Sequence, residues 1–219
     1  TTDIDKSARA IVMEGHNPQA RTVFRNNTIT SNSAIVRFHH MGGDSVTFKS
    51  NTFNMNTDSN FYTIYFWNFD AGNTAKGNIF LDNNLGTGVS YKDIYLHTYN
   101  PNFRSYWVQW YLNVNVKNSL NQNVSDAIVK SYDKNSILRF TDTTNTSGNA
   151  QLNLSEFYFY SDSGTTDTNY VYFNNYKAIA TKSGIADTVL NINMTSTQSL
   201  NMILGEAEGV VSKKWLIRK

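Results

Sequence analysis

Three stretches of the sequence repeat one pattern: FRNNTI at residues 24–29, FKSNTF at 48–53 and AKGNIF at 75–80. Each has a basic residue, a small residue and an asparagine in succession, with an apolar residue two places after the asparagine. The asparagines, Asn27, Asn51 and Asn78, are 24 and then 27 residues apart. Self-similarity at a period of roughly 20–50 residues is typical of solenoid and array proteins.

A second pattern alternates with the first, and its segments read AIVME (10–14), AIVRF (34–38), TIYFW (63–67) and DIYLH (93–97). The segments of both patterns are short, rich in β-branched and aromatic residues, and bounded by Asn, Gly, Ser and Asp. That composition predicts strands joined by turns. Stacking of equivalent strands about 4.8 Å apart would then align three sets of side chains. These are an amide ladder of Asn27, Asn51 and Asn78, an inward column of Ile11, Ile35, Ile64 and Ile94, and a solvent-facing column of Arg25, Lys49 and Lys76.

Windings of 24–30 residues with several short strands each resemble the right-handed parallel β-helix of pectate-lyase-like and NosD-like surface repeat proteins. The resemblance implies that residues 1–106 are coils of such a helix. Because the sequence starts inside the first recognisable coil, we expect a signal peptide and further coils to precede it.

The pattern changes after residue 106, where VQWYLNVNV (108–116) alternates strictly between apolar and polar residues. This period of two indicates a half-buried strand. Further short strands are predicted, separated by polar turns, and this arrangement favours an antiparallel β-sandwich. They are AIVKSY (127–132), SILRF (136–140), AQLNL (150–154), YKAIATK (176–182), VLNINM (189–194) and SLNMIL (199–204).

Three segments resemble the carboxypeptidase-regulatory-like (transthyretin-like) family: LNVNVKNSLNQNVSDAIVKSY (112–132), TNTSGNAQLNL (144–154) and YKAIATKSGIADTVLNIN (176–193). The resemblance implies a sandwich over residues 107–204 of a type that usually braces or spaces a neighbouring domain and is not catalytic. Gly148 and Gly184 stand at the family's turns, where a positive φ is often needed. The chain departs from the family in having Val124 where a proline is usual, and in a long aromatic segment at 155–175.

Composition excludes several classes of protein. The formal net charge of +2 implies no nucleic-acid or anionic-membrane partner. The chain has no cysteine, which rules out disulfides and thiolate metal sites. No apolar run approaches the roughly 18 residues that span a membrane. Low charge with abundant Asn, Thr and Ser suits strands and turns, and we expect an extracellular location.

Catalytic constellations are not evident in the sequence. Glycosidases need two carboxylates about 5–9.5 Å apart, but the acidic residues of the coils fall in different predicted columns: Asp44, Asp70, Asp82 and Asp93. His39 and His40 are adjacent on a strand and therefore point to opposite faces, and we interpret them as turn histidines. We expect no enzyme activity, no cofactor and no metal site, although the loops at 142–149 and 161–167 could hold Ca²⁺ through carboxylate and carbonyl oxygens.

Aromatic residues form the richest signal for binding. One cluster lies in a single coil and the other at the change of pattern, where it could cap the solenoid: Phe61, Tyr62, Tyr65, Phe66, Trp67 and Phe69, then Phe103, Tyr106, Trp107, Trp110 and Tyr111. Rings with a polar tip suit sugar stacking or a protein interface. Tyr65, Trp67 and Phe69 are therefore the candidate residues for binding a carbohydrate or a partner.

Five asparagines lie in N-x-Ser/Thr sequons and are candidates for glycosylation: Asn26, Asn123, Asn145, Asn153 and Asn193. The C-terminal extension at 205–219 fits neither pattern. It could be a strand added to a neighbouring sheet, a short helix or a linker.

Two functions fit the sequence. The first is a non-enzymatic structural protein, a subunit or segment of a filament, sheath or surface layer on a prokaryotic cell, archaea included, which associates with itself or with neighbouring surface proteins. The alternative is a carbohydrate-binding adhesin, or a fragment of a β-helix polysaccharide lyase or hydrolase, which takes glycans at the Trp67 region.

Overall fold

The computed structural model describes residues 10–13, 22–40, 43–56, 62–69, 73–97 and 102–205. Within these residues every regular element is a strand, in parallel and antiparallel sheets. The prediction of an all-β fold is therefore confirmed for these residues. None of the described segments forms a helix that could cross a membrane. The predicted C-terminal extension at 205–219 lies outside the described residues, apart from Gly205.

Two compact units divide the chain. The first comprises Thr1–Leu112, Asn153–Asn175 and Asn193–Gln198, and the second Asn113–Leu152, Tyr176–Ile192 and Ser199–Lys219. Both units are thus assembled from separated pieces of sequence. Strand β11 (Arg104–Asn118) contains the domain boundary predicted at residues 106 and 107.

The first unit contains three successive repeats of three strands each. Repeat 1 is β1 (Ile11–Met13), β2 (Val23–Arg25) and β3 (Thr28–Ser31); repeat 2 is β4 (Val36–His40), β5 (Thr47–Lys49) and β6 (Thr52–Met55); repeat 3 is β7 (Ile64–Phe69), β8 (Ala75–Leu81) and β9 (Asn84–Leu85). Equivalent strands pair in parallel, in the orders β1-β4-β7-β10, β2-β5-β8-β11 and β3-β6-β9, where β10 is Ile94–Leu96. The chain therefore visits three parallel sheets in the same order in each repeat.

The registers of these sheets define the true sequence repeat. Phe24 pairs with Phe48 and Phe48 with Phe80, so the segment in repeat 3 that matches FRNNTI and FKSNTF is FLDNNL at 80–85. The third position of each match has a positive φ: 57° at Asn26, 52° at Ser50 and 52° at Asp82. Asn and Asp are among the residues that adopt this left-handed conformation at least cost.

The amide ladder exists, but its third member is Asn83. The Asn51 side-chain oxygen accepts from the Asn27 side-chain Nδ2 (3.1 Å), and Asn51 Nδ2 donates to Asn83 Oδ1 (3.0 Å). Asn51 is 1% exposed. The predicted third member, Asn78, lies elsewhere and accepts a hydrogen bond from the Val46 backbone N–H (2.9 Å). The prediction of Asn78 is wrong because β8 is longer than β5. Strand β8 begins five residues before Phe80, whereas β5 begins one residue before the equivalent Phe48, so Asn78 comes before the turn in repeat 3.

Two other predicted columns contain different residues in the structure, because the strand register differs from the predicted alignment. Leu81, and not Lys76, follows Arg25 and Lys49 in register, while Lys76 lies next to Asp44 at 4.0 Å. In the first sheet Ile11, Ile64 and Ile94 do align, but their partner in repeat 2 is Val36. Ile35 lies one residue earlier, and its carbonyl accepts from the Ile11 N–H.

Stacked aromatic rings fill the interior of the first unit. Phe48 stacks on Phe24 (ring centroids 5.3 Å apart) and on Phe80 (4.8 Å). Tyr106, on β11, stacks on Phe159 with a centroid distance of 4.8 Å, and both side chains are fully buried. Residues 153–161 of β14 (Asn149–Ser161), followed by β15 (Asn169–Tyr172), thus extend the second parallel sheet, and part of the long aromatic segment closes this core.

The second unit contains a four-stranded antiparallel sheet in the order β13-β12-β16-β17. Its strands are β12 (Ile128–Tyr132), β13 (Leu138–Thr143), β16 (Tyr176–Lys182) and β17 (Ile185–Ile192); β18 (Gln198–Leu204) pairs with β11. Alternate residues of β12 and β16, among them Val129 and Ala180, are buried. All six strands predicted after residue 120 overlap with observed ones.

Both predicted turn glycines have a positive φ, 74° at Gly148 and 81° at Gly184, so this prediction is confirmed. At Gly148 a Cβ would also lie 2.6 Å from the Val116 carbonyl oxygen. Glycine is therefore needed at Gly148 both for its backbone conformation and for space.

Candidate functional site

The outer face of the first parallel sheet holds the predicted binding residues. Along β4, β7 and the end of β10, one set of alternate side chains is buried, including Val36, Phe38, Ile64 and Phe66. The other set forms two columns: Arg37–Tyr65–Tyr95, which follows from the strand register, and His39–Trp67–His97, which is defined by ring contacts. We call these six residues the aromatic face.

The first column is a continuous stack. The rings of Tyr65 and Tyr95 are 4.3 Å apart and nearly parallel, with an interplanar angle of 10°. Tyr62, which is exposed, packs against Tyr95 with a centroid distance of 5.3 Å. Three tyrosine rings, two from the column and Tyr62 beside it, are therefore adjacent.

Trp67 is at the centre of the second column. Its ring lies 4.6 Å from that of His97, 6.4 Å from that of His39 and 5.3 Å from that of Tyr65. The Arg37 guanidinium lies 4.4 Å from the Trp67 ring centroid, at cation–π distance, and Arg37 is only 4% exposed. Arg37 thus fixes the position of the indole from one side.

A buried arginine also supports the end of β10. Arg104 Nη2 donates to the His97 carbonyl at 3.0 Å. Burial lowers the pKa of Arg104 to about 10, so the guanidinium keeps its charge at neutral pH. This bond fixes the backbone that presents the His97 ring.

The aromatic face can take part in stacking contacts. Flat, partly exposed aromatic rings with polar tips can pack on the apolar faces of sugar rings or on partner side chains. A stacked Tyr–Trp–His surface held by a cation–π contact is pre-organised for such packing.

The structure brings together two of the three predicted binding residues, Tyr65 and Trp67. Phe69 is the last residue of β7, and its side chain lies outside the described part of the chain. Sequence reasoning missed Arg37, Tyr95 and both histidines of the face. Their signal was present in the repeat, because VRFH, IYFW and IYLH align once Val36 replaces Ile35 in the column.

The predicted glycosylation residues occupy different environments. Asn26, Asn123, Asn145 and Asn193 are exposed, whereas Asn153 lies half-buried within β14. Asn145 Oδ1 accepts from the Ser147 and Asn149 backbone N–H groups, so this side chain already closes a turn. Glycosylation at these five positions stays a prediction.

The acidic residues considered as catalytic candidates have separate structural contacts. Asp44 accepts from the Thr74 hydroxyl (2.9 Å) and the Lys76 N–H (2.8 Å), while Asp93 accepts from the Thr63 N–H (3.1 Å). Both therefore join neighbouring repeats. Asp70 lies outside the described residues, and Asp82 contacts Thr197.

The interpretation of His39 and His40 as turn histidines is wrong, because both residues lie within β4. In the loop at 142–149, Asp142 accepts from the Gln151 N–H at 2.8 Å, which ties the carboxylate to β14. The binding of Ca²⁺ by this loop or by 161–167 stays a prediction.

Comparison with known proteins gives little similarity. No protein-family model matches the chain, and no curated protein matches it. Among solved structures, it is similar to a crystal structure of a variant of BcpA, the major pilin subunit of Bacillus cereus, with a TM-score of 0.24 and 10% sequence identity. The match covers 44% of this chain and 28% of the pilin subunit. A TM-score this low does not establish a common fold.

Proposed function

We propose that this protein is a non-enzymatic structural protein of a prokaryotic cell surface, a subunit or segment of an extracellular filament, sheath or surface layer. In this proposal the three repeats are coils of a right-handed parallel β-helix, and the second unit is a carboxypeptidase-regulatory-like sandwich. The cyclic order of the parallel strands and the two positive-φ glycines support these assignments.

One observation carries the functional proposal: among the described residues, β1, β2 and β3 all lie at the edges of their parallel sheets. Edge strands present unpaired backbone donors and acceptors that another strand can complete. Val12 and Val23, on β1 and β2, are 46% and 52% exposed, so this end also offers apolar surface. A coil of a second copy would satisfy both.

Self-association of the purified full chain tests the proposal. Sedimentation velocity over a wide concentration range should show assembly, and lysines at the edge should weaken it because charged edge residues oppose strand addition. The variant is Val12→Lys/Val23→Lys. A matched control, Leu190→Lys/Ile203→Lys, replaces two exposed apolar residues of the second unit and should assemble like the unmodified protein. A chain that stays monomeric at every concentration, or two variants that behave alike, would refute strand-edge assembly.

The aromatic face supports a second function, carbohydrate binding by an adhesin. The stacked arrangement of Trp67, Tyr65 and Tyr95 is the specific observation in its favour. Glycan-array binding should be lost with Trp67→Ala and retained with Trp107→Ala, whose ring packs against Tyr158 away from this face. Equal binding by both variants would exclude the face as the glycan site, and release of products from a polysaccharide panel would indicate an enzyme.

A further inference from the structure

A cleft of about 600 Å³ in the first unit is separate from the aromatic face. It lies beside the turn that precedes β9. Its wall includes Asp82, Tyr91, Lys92, Trp110 and Glu156. The volume falls in the range of about 300–1,000 Å³ that is usual for small-molecule sites. Neither proposed function uses this cleft.

Two carboxylates are held in its wall by specific hydrogen bonds. Asp82 Oδ1 accepts from the Thr197 hydroxyl at 2.6 Å, and the same hydroxyl accepts from the Tyr111 N–H. Glu156 Oε2 accepts from Trp110 Nε1 at 2.9 Å. The described residues use only one oxygen of each carboxylate in these bonds, so both carboxylates are oriented but keep acceptor capacity.

The Tyr91 hydroxyl is the decisive feature of the cleft. Tyr91 is 4% exposed, and its hydroxyl makes no hydrogen bond to any described residue. The neighbouring Asn83 side chain interacts with the phenol oxygen, while its Oδ1 accepts from Asn51 and one Nδ2 hydrogen donates to the Phe48 carbonyl, so the phenolic hydrogen has no acceptor among the described residues. A buried hydroxyl left without a partner is destabilising, so a ligand that pairs with it gains affinity.

The protonation state of Tyr91 is clear. Burial raises the pKa of the Tyr91 phenol above its usual range, although the nearby Asn83 amide opposes the shift, and the charges of Glu156 and Asp82 raise it further. The group is therefore a neutral phenol at physiological pH. It can donate one hydrogen bond and accept another.

The lining chemistry selects the class of ligand. Hydroxyl and amide groups of Ser90, Thr195, Ser196 and Asn84 join the two carboxylates, and Trp110 and Phe157 add aromatic surface. A ligand that matches this lining has groups that both donate and accept hydrogen bonds, carried on a ring with an apolar face. Two carboxylates disfavour an anion, while the charge of Lys92, whose Nζ lies 5.6 Å from the Phe157 ring centroid, offsets part of their attraction for a cation.

We infer that this cleft binds a neutral saccharide unit, with its hydroxyls donating to Asp82 and Glu156 and one of them paired with the Tyr91 hydroxyl. The inference depends neither on self-assembly nor on the aromatic face. Variants of the strand edges or of the aromatic face therefore leave this inference testable.

Saturation-transfer NMR and calorimetry on the full chain test the inference, with methyl glycosides of glucose, galactose, mannose and N-acetylglucosamine as probes. At least one should bind, and Tyr91→Phe, which removes a single oxygen, should weaken binding about tenfold. Glu156→Gln should also weaken binding, because an amide replaces an acceptor-only group. Tyr160→Phe is the matched control, since it removes a phenol that is outside the cleft wall.

The outcomes separate this site from the others. Trp67→Ala should leave binding of the bound glycoside unchanged if the cleft is the site. The inference is overturned if none of the four glycosides binds, if Tyr91→Phe binds as tightly as the unmodified chain, or if glucuronate or an alkylamine binds in place of the neutral sugars.

Discussion

At the scale of single residues, Asn51 links the three repeats. Its Oδ1 accepts from the Asn27 backbone N–H at 3.0 Å, and its Nδ2 also donates to the Phe24 carbonyl at 3.0 Å. Its own backbone N–H donates to Asn83 Oδ1 at 2.9 Å. A single buried amide thus satisfies polar groups of the repeat on either side, as amide ladders do in other in-register stacks.

Replacing Asn51 by alanine should cost about 2–4 kcal/mol of unfolding free energy, because it leaves several buried donors and acceptors without partners. The comparison is Asn56→Ala, an exposed asparagine whose side-chain Nδ2 donates to Asn32 Oδ1. That change should stay within about 0.5 kcal/mol. Urea unfolding followed by circular dichroism measures both, and equal losses would refute the role of the ladder.

Asp133 makes the stability of the second unit pH-dependent. Its buried carboxylate accepts from the Ile137 and Asn135 N–H groups and pairs with Arg139 at 2.6 Å. Burial alone would raise the pKa of Asp133, but these hydrogen bonds and the Arg139 charge together lower it below its usual value.

A lowered folded-state pKa stabilises the protein above the unfolded-state value of about 3.9, and the contribution is lost as the pH falls through the folded-state pKa. Unfolding free energy should therefore decrease as the pH is lowered below about 4. Asp133→Asn should be less stable at pH 7 and should show a smaller decrease on acidification. Parallel pH slopes for the two proteins in urea titrations would contradict this assignment.

At the scale of strands, the sequence indicated the type of element and the approximate period, but not the register. Alternation identified β11 and the antiparallel strands, because one buried face imposes a period of two. The register of repeat 3 could not be read in the same way, since AKGNIF resembles FRNNTI in its basic residue and asparagine more closely than FLDNNL does. Backbone conformation decided the alignment, with the positive-φ residues Asn26, Ser50 and Asp82 at equivalent positions.

The candidate site was predicted only in part for the same reason. Tyr65 and Trp67 stood out through aromatic content, whereas Arg37 and His97 become visible only when strands are aligned in the right register. The cleft could not be predicted, because it joins Asp82 of repeat 3 with Glu156 and Thr197, which are distant in sequence. Such long-range proximity has no local signature.

The phenylalanine stack gives a test of how the parallel strands pack. Phe48 is fully buried between Phe24 and Phe80, while Phe24 is half-buried on edge strand β2. Phe48→Ala should cost about 3–5 kcal/mol because it opens a central cavity, and Phe24→Ala about 1–2 kcal/mol. Thermal and urea unfolding measure the difference. A larger loss from the Phe24 variant would show that β2 is not an edge.

At the scale of the whole molecule, each unit is completed by segments that are remote in sequence. The aromatic segment at 155–175, predicted to be part of the sandwich, belongs to the first unit, where Phe157 and Phe159 are buried. Exposed aromatic core at the end of stacked strands needs a cover, and this segment supplies one. Composition alone could mark the segment as unusual but could not say which core it covers.

The stacking of the three repeats is the claim on which the proposals of fold and assembly depend, and disulfide cross-linking tests it directly. The chain has no cysteine, so introduced pairs report without background. Thr52 and Asn84 are register partners, and neighbouring parallel strands, about 4.8 Å apart, lie within the Cα separation of about 4.4–6.8 Å that disulfides require.

Thr52→Cys/Asn84→Cys should therefore form an intramolecular disulfide on mild oxidation, detected by intact and peptide mass spectrometry. Thr52→Cys/Ile79→Cys should not, because Ile79 pairs with Thr47. A disulfide in the second pair and none in the first would place Asn78 above Asn51 and contradict the register described here.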